Sequence, residues 1–494
     1  MKLANYFLAA FPAVCVETVE EERFTDQLIA LVDKASHRYT LFSIDARNTL
    51  HQLSISGERV VEERCDYGKA FDHIAAREKG LLLVFDWQSI CHNSGAYRRL
   101  KANFRDLRAK GSCAILVAPS WRLPDELLHD IPIIDFALPS REQLTQQLDY
   151  VSQNARSAIE DDAHETACVD AALGLTLQQS DNSYALAYTE SGFIDPGVVQ
   201  REKMALVKAS GYLEVCPPED ITNLGGLNEY KSYFNDEVMP AKDDIQLQVK
   251  GILLMGPPGV GKSLAAKVAA GIMGRPLLRM DVGSLKGSLV GQSEHNIKAA
   301  LRLVDAIAPA VLYIDELEKA VAGHSQSGVT DSGVTAGMVG TILTWMQDHT
   351  SQVFTIATVN NYHGLPPEMT RAGRFDERFF VDMPSSEDRE DIAAIHLKRL
   401  GCDESLAAAI ARATPEWTGA EIEQLIKSAA RRSNRNMDKE IIEACGRDIK
   451  PISTVRADEI AALRDWAKDT LRPANIPDAV DALPQRRNIV TERE

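Results

Sequence analysis

With 494 residues the chain is too long for a single hydrophobic core and should divide into about two to four domains. Its formal net charge of −17 argues against a general binder of nucleic acid or of anionic membranes. The eight cysteines are widely spaced, with no C-x-x-C and no Cys/His spacing suited to zinc, and no apolar run reaches the ~20 residues of a membrane-spanning helix, so a soluble cytoplasmic protein with reduced thiols is expected.

The first elements in chain order are those of a parallel α/β sheet. The apolar stretch at the N-terminus ends at Pro12 and leads into strand-like sequence, so it is not read as a signal peptide. Gly80-Leu-Leu-Leu-Val-Phe-Asp86 reads as a buried strand ending in an acid, and Ala114-Ile-Leu-Val-Ala-Pro119 as another. A basic helical stretch, Tyr97 to Arg108, lies between them, and its charges at helical spacing are expected on a solvated face rather than against nucleic acid. Strands alternating with helices predict a parallel α/β domain over residues 1–145. Ser140-Arg-Glu-Gln143 then caps a helical region, 146–210.

Residues 252–263, Ile-Leu-Leu-Met-Gly-Pro-Pro-Gly-Val-Gly-Lys-Ser, are an apolar strand that breaks into G-x-x-x-x-G-K-[ST] and continues into an Ala-rich helix. This is a phosphate-binding loop. Gly256, Gly259 and Gly261 let the backbone curl around a β-phosphate, the helix presents its positive end, and Lys262 supplies charge for the β- and γ-phosphates. Ser263 is placed to ligate Mg²⁺, and Pro257, Pro258, Val260 and Leu264 complete the stretch expected to hold ATP.

Farther on, Ala310-Val-Leu-Tyr-Ile-Asp-Glu316 is a strand ending in two acids. Asp315 is expected to hold Mg²⁺ and Glu316 to polarise the water that attacks the γ-phosphate. The strand from Val353 ends at Asn360, which either orients that water from the other side or serves as a turn residue. Arg371 and Arg374, separated by Ala-Gly, read as fingers reaching a neighbouring subunit's γ-phosphate or as ordinary surface salt-bridging arginines. The first reading requires an oligomer.

These motifs, in this order, resemble the AAA family of ATPases. The similarity runs from Asn223-Leu-Gly-Gly-Leu227 through the phosphate loop, Asp315-Glu316, Asn360 and the R-x-x-R-F-D box to Ile395-His396 and Thr418-Gly-Ala-Glu421. The resemblance implies an AAA nucleotide-binding core over 211–384, a small helical lid over 385–474 and a mobile tail over 475–494. It further implies that Leu224 contacts the adenine, that His396 reaches the sugar, and that Gly419 and Ala420 close over the base. A homo-oligomer, a hexamer or similar ring, is implied as well, acting on a protein partner. Three positions depart from the pattern. Leu289 stands where AAA unfoldases carry an aromatic pore residue, Gly337 where many relatives carry an Arg facing the neighbour, and Asn223 where an Asp is usual.

The first half echoes the second. Leu123-Pro-Asp-Glu-Leu127 with Phe136-Ala-Leu-Pro-Ser140 matches Leu365-Pro-Pro-Glu-Met369 with Phe380-Val-Asp-Met-Pro-Ser385, and Gly174-Leu-Thr-Leu-Gln resembles a second, divergent lid. The first half has no phosphate loop and no R-x-x-R box, and its acid Asp86 is followed by Trp87 instead of a second acid. It is expected to be a degenerate ATPase-like, P-loop-like domain. That layout resembles the AAA family encoded in algal plastids, cyanobacteria and many other bacteria, so a stroma-like compartment is the alternative to the cytoplasm. The expected function is a Mg²⁺-dependent ATPase that remodels a protein partner. The alternative is an ATP-gated regulatory protein that uses hydrolysis as a timer, without pore threading.

Overall fold

The computed structural model describes residues 3–34, 39–44, 47–54, 58–89, 94–121, 123–153, 159–242, 244, 246–285, 292–320, 331–361 and 374–475. Arg371, Leu289 and the tail from 476 onward, all singled out above, lie outside the described residues, as does the copy of the internal echo at 365–369. The chain folds as two compact units. One runs from the N-terminus to Asp170 with Leu175–Ile194, and the other comprises Ala171–Gly174 and Asp195 onward.

The first unit is built on β1 (Ala13–Glu17), β2 (Thr40–Ile44), β3 (Thr49–Leu53), β4 (Arg59–Arg64), β5 (Gly80–Val84), β6 (Cys113–Ala118) and β7 (Ile133–Asp135), in the order β4-β3-β2-β5-β6-β1-β7. The second is built on β8 (Glu214–Cys216), β9 (Gly251–Met255), β10 (Leu277–Met280), β11 (Ala310–Ile314), β12 (Val353–Val359), β13 (Glu377–Phe380) and β14 (Arg472–Pro473), in the order β14-β13-β9-β12-β11-β10-β8. The hairpin strands β3 and β4 and the antiparallel β8 are additions at sheet edges. Without them and the two-residue β14, what remains is five parallel strands in each unit, β2-β5-β6-β1-β7 and β10-β11-β12-β9-β13. Both orders read second, third, fourth, first, fifth. The likeness between the halves that the short sequence echo points to therefore extends to the topology.

Why these runs form central strands follows from burial on both faces. In β9, Ile252 and Leu254 join one apolar layer while Leu253 and Met255 join the other, so no position faces water and the run has no polar alternation. The helix Lys262–Met273 that follows buries Ala265, Ala266, Ala269 and Ala270, small side chains that let it lie close on the sheet. The lid has its own core, in which Leu397, Ile410, Trp417, Ile422 and Leu425 pack together. It rejoins the sheet: Arg464 Nε binds both oxygens of the buried Asp382 at 2.8 and 2.9 Å, its Nη2 binds Glu416 at 2.8 Å, and β14 pairs with β13.

In the first unit the turn between β1 and its helix Glu21–Lys34 is Thr18-Val19-Glu20. Thr18 N donates to Ala118 O as Gly256 N donates to Val359 O, which makes Thr18 the counterpart of Gly256. Three residues replace six, too few to wrap a phosphate, and the place before the helix is held by a carboxylate of the protein itself. Glu20, 9% exposed, accepts from Arg23 Nε at 3.0 Å and from Leu177 N at 2.7 Å. Leu177 opens a helix capped by Thr176 and Gln179, the same capping box that Thr418 and Glu421 form in the lid of the second unit.

The sequence sets Asp86 against Asp315, the first acid of the second half, but the structure places it one position later. It stands two residues beyond the end of β5 with φ 58°, and Glu316 stands two beyond β11 with φ 49°. Asp86 is therefore the counterpart of Glu316, and the buried Phe85 takes the place of Asp315. Within the basic stretch Arg99 pairs with Asp72 and Lys101 with Asp130, both through exposed side chains, in keeping with a solvated face. Among the described residues all cysteines are free, and no helix is long and apolar enough to cross a membrane.

Candidate active site

A cleft of about 550 Å³ lies over the carboxyl ends of the second unit's strands. Of the residues expected to touch nucleotide, Leu224, Pro258, Gly259, Val260, Gly261, Lys262, Ser263, Leu264, His396, Gly419 and Ala420 line it, together with Asp315, Glu316 and Asn360. Gly256 and Pro257 do not. A Cβ on Gly256 would stand 2.0 Å from Val381 O, so the first glycine of the loop is required by the strand beside it. Gly259 and Gly261, with φ of +87° and +100°, are the ones that turn the chain. Pro257 faces a second cavity of about 320 Å³, which Glu316 and Asn360 also line. Arg374 is half-buried and does not line the first cleft.

Lys262 is buried, and its Nζ donates to Gly256 O and Pro257 O, both at 2.7 Å. Burial lowers its pKa to about 8 against the pull of Glu318, Asp315 and Glu316. A phosphate placed here would restore the charge that burial opposes. Ser263 Oγ and Asp315 Oδ1 are joined through Tyr313 Oη, at 2.8 and 2.5 Å. Burial raises the Asp315 pKa, but hydrogen bonds from Tyr313, Arg279 and Thr358 outweigh it and hold the carboxyl below its usual range. An ionised carboxylate beside a hydroxyl is a donor set for a hard cation, and Mg²⁺ needs few protein ligands when phosphates supply the rest. Among the described residues no cluster of three or more acids, His or Cys could hold a metal without that help.

Asn360 Nδ2 donates to Glu316 Oε1 at 3.1 Å, and Glu316 N donates to Thr358 Oγ1 at 3.1 Å. The left-handed backbone of Glu316 is uncommon for a residue with a side chain and swings its carboxylate toward Asn360. Glu318, next along, accepts from Asn360 N at 3.0 Å, and burial lifts its carboxyl above the usual range with Glu316 alongside. At the other end of the cleft, Ala420 N donates to Gly259 O at 3.1 Å, so lid and loop touch directly. His396 lies 3.9 Å from Glu423, and burial lowers its pKa toward a neutral ring. Gly337 is half-buried on the helix Asp331–Asp348.

Four polar residues at this site escaped the motif reading: Arg279, Tyr313, Thr358 and Glu318. A signal existed for Arg279 and Tyr313, each a lone polar group inside an otherwise apolar strand run, whereas Thr358 shares its strand with Thr355.

Two family models match the chain in the order of its units: the SpoVK-like AAA ATPase N-terminal domain over residues 1–136, and the ATPase family associated with various cellular activities (AAA) over residues 252–383. The "Uncharacterized AAA domain-containing protein ycf46" of Guillardia theta is 29% identical over 476 residues, 93% of this chain and 93% of that one. The protein of the same name from Gracilaria tenuistipitata var. liui is 31% identical over 403 residues, 78% of this chain and 81% of that one. Among solved structures, the crystal structure of the FIGL-1 AAA domain in complex with ADP matches with a TM-score of 0.45 at 20% identity, covering 55% of this chain and 97% of that one. With similarity to the ycf46 proteins that extends across both halves, the chain belongs to the ycf46 family of AAA domain-containing proteins and is an ATPase.

Proposed function

We propose that the chain is a Mg²⁺-dependent ATPase that acts as a homo-oligomeric ring, a hexamer or similar, and uses hydrolysis to remodel a protein partner. The observation that carries the hydrolytic part is the convergence of Lys262, Ser263, Asp315, Glu316 and Asn360 on one cleft, from the ends of three adjacent parallel strands. In this reading Lys262 and the loop N–H groups hold the phosphates of ATP, and Ser263 and Asp315 hold Mg²⁺. Glu316 takes the proton of the attacking water, and Asn360 fixes the direction of its carboxylate. Leu224, His396, Gly419 and Ala420 enclose the base and sugar. Arg371 and Arg374 act on the neighbouring subunit's γ-phosphate. In support, Glu316 and Asn360 are exposed to a second cavity as well as to the main cleft, so the catalytic end is open to a group from outside. The domains are then 1–145, 146–210, 211–384 and 385–474, with the tail 475–494.

The Ala420–Gly259 contact links lid and phosphate loop, so a change in the loop on binding or hydrolysis of ATP would reach the lid through it. Leu289 favours a second reading for the output, because an aliphatic side chain offers a threaded polypeptide less rigid surface than an aromatic ring. There the same cycle serves as a timer for assembly, without threading. In either case neighbours must complete each other's sites, which a mixing experiment reads directly. Arg374→Ala subunits added to wild type are expected to depress turnover below the wild-type fraction. Turnover strictly proportional to that fraction would show that each chain works alone.

A further inference from the structure

Asp315 does not stand alone at its strand end. Its Oδ1 accepts from Tyr313 Oη and from Thr358 Oγ1, at 2.5 and 3.0 Å. Its Oδ2 accepts from Arg279 Nη2 at 2.7 Å, and Arg279 Nη1 reaches Glu214 Oε2 at 3.1 Å. Glu214, Arg279 and Asp315 thus form a row of alternating charge across β8, β10 and the end of β11, which are neighbours in the sheet. The row is graded in exposure, from 66% for the Glu214 side chain through 37% for Arg279 to 20% for Asp315. The inner pair is shielded enough for its charges to be felt, and the outer one is largely screened.

The two carboxylate oxygens have different tasks. Oδ1 lies with Tyr313 on the side of Ser263 Oγ, where a cation would be met, while Oδ2 is turned to Arg279. A guanidinium does not lose its proton in a protein, so this partner is a permanent positive charge. Tyr313 and Thr358 hold Oδ1 whether or not Arg279 is present. Removing Arg279 should therefore change the charge at the site more than its geometry.

We propose that Arg279 is a positioning residue that moderates the hold of Asp315 on Mg²⁺, so that the cation enters with its nucleotide rather than ahead of it. The proposal rests on the reading of Asp315 as the metal-binding acid. A unit charge a few ångströms from a divalent ion repels it by an amount inverse to distance and local dielectric. Glu214 partly offsets that charge from the far side. The two residues of the row should consequently shift the cation requirement in opposite directions, which general damage to the sheet would not do.

The test is a Mg²⁺ titration of the binding of a fluorescent, non-hydrolysable ATP analogue to the full chain. Arg279→Gln is expected to lower the half-saturating Mg²⁺ about three- to tenfold. Arg279→Lys, which keeps the charge, should stay within about twofold of wild type, and Glu214→Gln should raise the requirement by about twofold, given its exposure. An unchanged or raised requirement in folded Arg279→Gln overturns the proposal. Should that variant fail to fold, a Glu214→Gln protein with an unchanged or lowered requirement overturns it instead. Asp315→Asn separates the two layers of the argument. If it leaves the Mg²⁺ requirement untouched, the underlying reading of Asp315 fails. If it raises the requirement while Arg279→Gln has no effect, only the role of Arg279 is lost.

Discussion

Glu316→Gln is expected to reduce ATP turnover by about 10²- to 10⁴-fold, the usual contribution of a positioned general base, while leaving ATP bound. The substitution is close to isosteric. Its amide oxygen can still accept from Asn360 Nδ2, which lies 3.1 Å from Oε1, and its backbone N–H keeps the bond to Thr358. The left-handed φ of 49° is already tolerated by a residue with the same backbone and stem. What is lost is the ability to take a proton from water. Phosphate release at saturating ATP measures the first effect, and retention of labelled ATP after gel filtration measures the second. Turnover within about threefold of wild type would remove Glu316 from the role of general base.

Lys262→Ala should weaken ATP binding by roughly 30-fold or more, the loss expected when one partner of a buried, hydrogen-bonded charge pair costs about 2–5 kcal/mol. Lys262 is only 6% exposed. Its ammonium is the buried cation of the loop, and its two 2.7 Å bonds to Gly256 O and Pro257 O also brace the loop's first turn. Alanine removes the charge and the brace together. Calorimetric titration with Mg²⁺-ATP reads the affinity, and a circular-dichroism melt confirms that the unit is folded. An affinity within about threefold of wild type would mean that the nucleotide is not held where the cleft places it.

The phosphate loop was legible in the sequence because its geometry is local. Eight consecutive residues carry the turn, the helix start and the charge, and no distant contact is needed to recognise them. Asp315 and Glu316 were legible for a similar reason, as adjacent acids at the end of an apolar run. The charges around Asp315 were not. Arg279, Tyr313 and Thr358 are far apart in the chain and meet only because β10, β11 and β12 are neighbours in the sheet, an order that helix and strand alternation does not specify. The same limit misplaced Asp86. Counting from an acid to the next residue suggested a lost second carboxylate, whereas counting from the strand end shows that the first is the one replaced, by Phe85. The requirement for glycine at 256 is likewise non-local, since it is set by Val381, just past the end of β13 and more than a hundred residues later.

The two units share a topology and differ at the place where a nucleotide would sit. In the first, a three-residue turn ends in the buried carboxylate of Glu20, bound by Arg23 and by the backbone of Leu177, where an anion would otherwise be received. In the second, the loop is complete and the acids converge on it. Hydrolysis should therefore belong to one half of each chain. Counting bound ATP tests this most directly. Equilibrium dialysis of the full chain carrying Glu316→Gln, with labelled ATP and Mg²⁺, should give one ATP per chain at saturation, with the half-saturating ATP raised by roughly 30-fold or more once Lys262→Ala is added. Two ATP per chain, or one bound with unchanged affinity after the loss of Lys262, would contradict it.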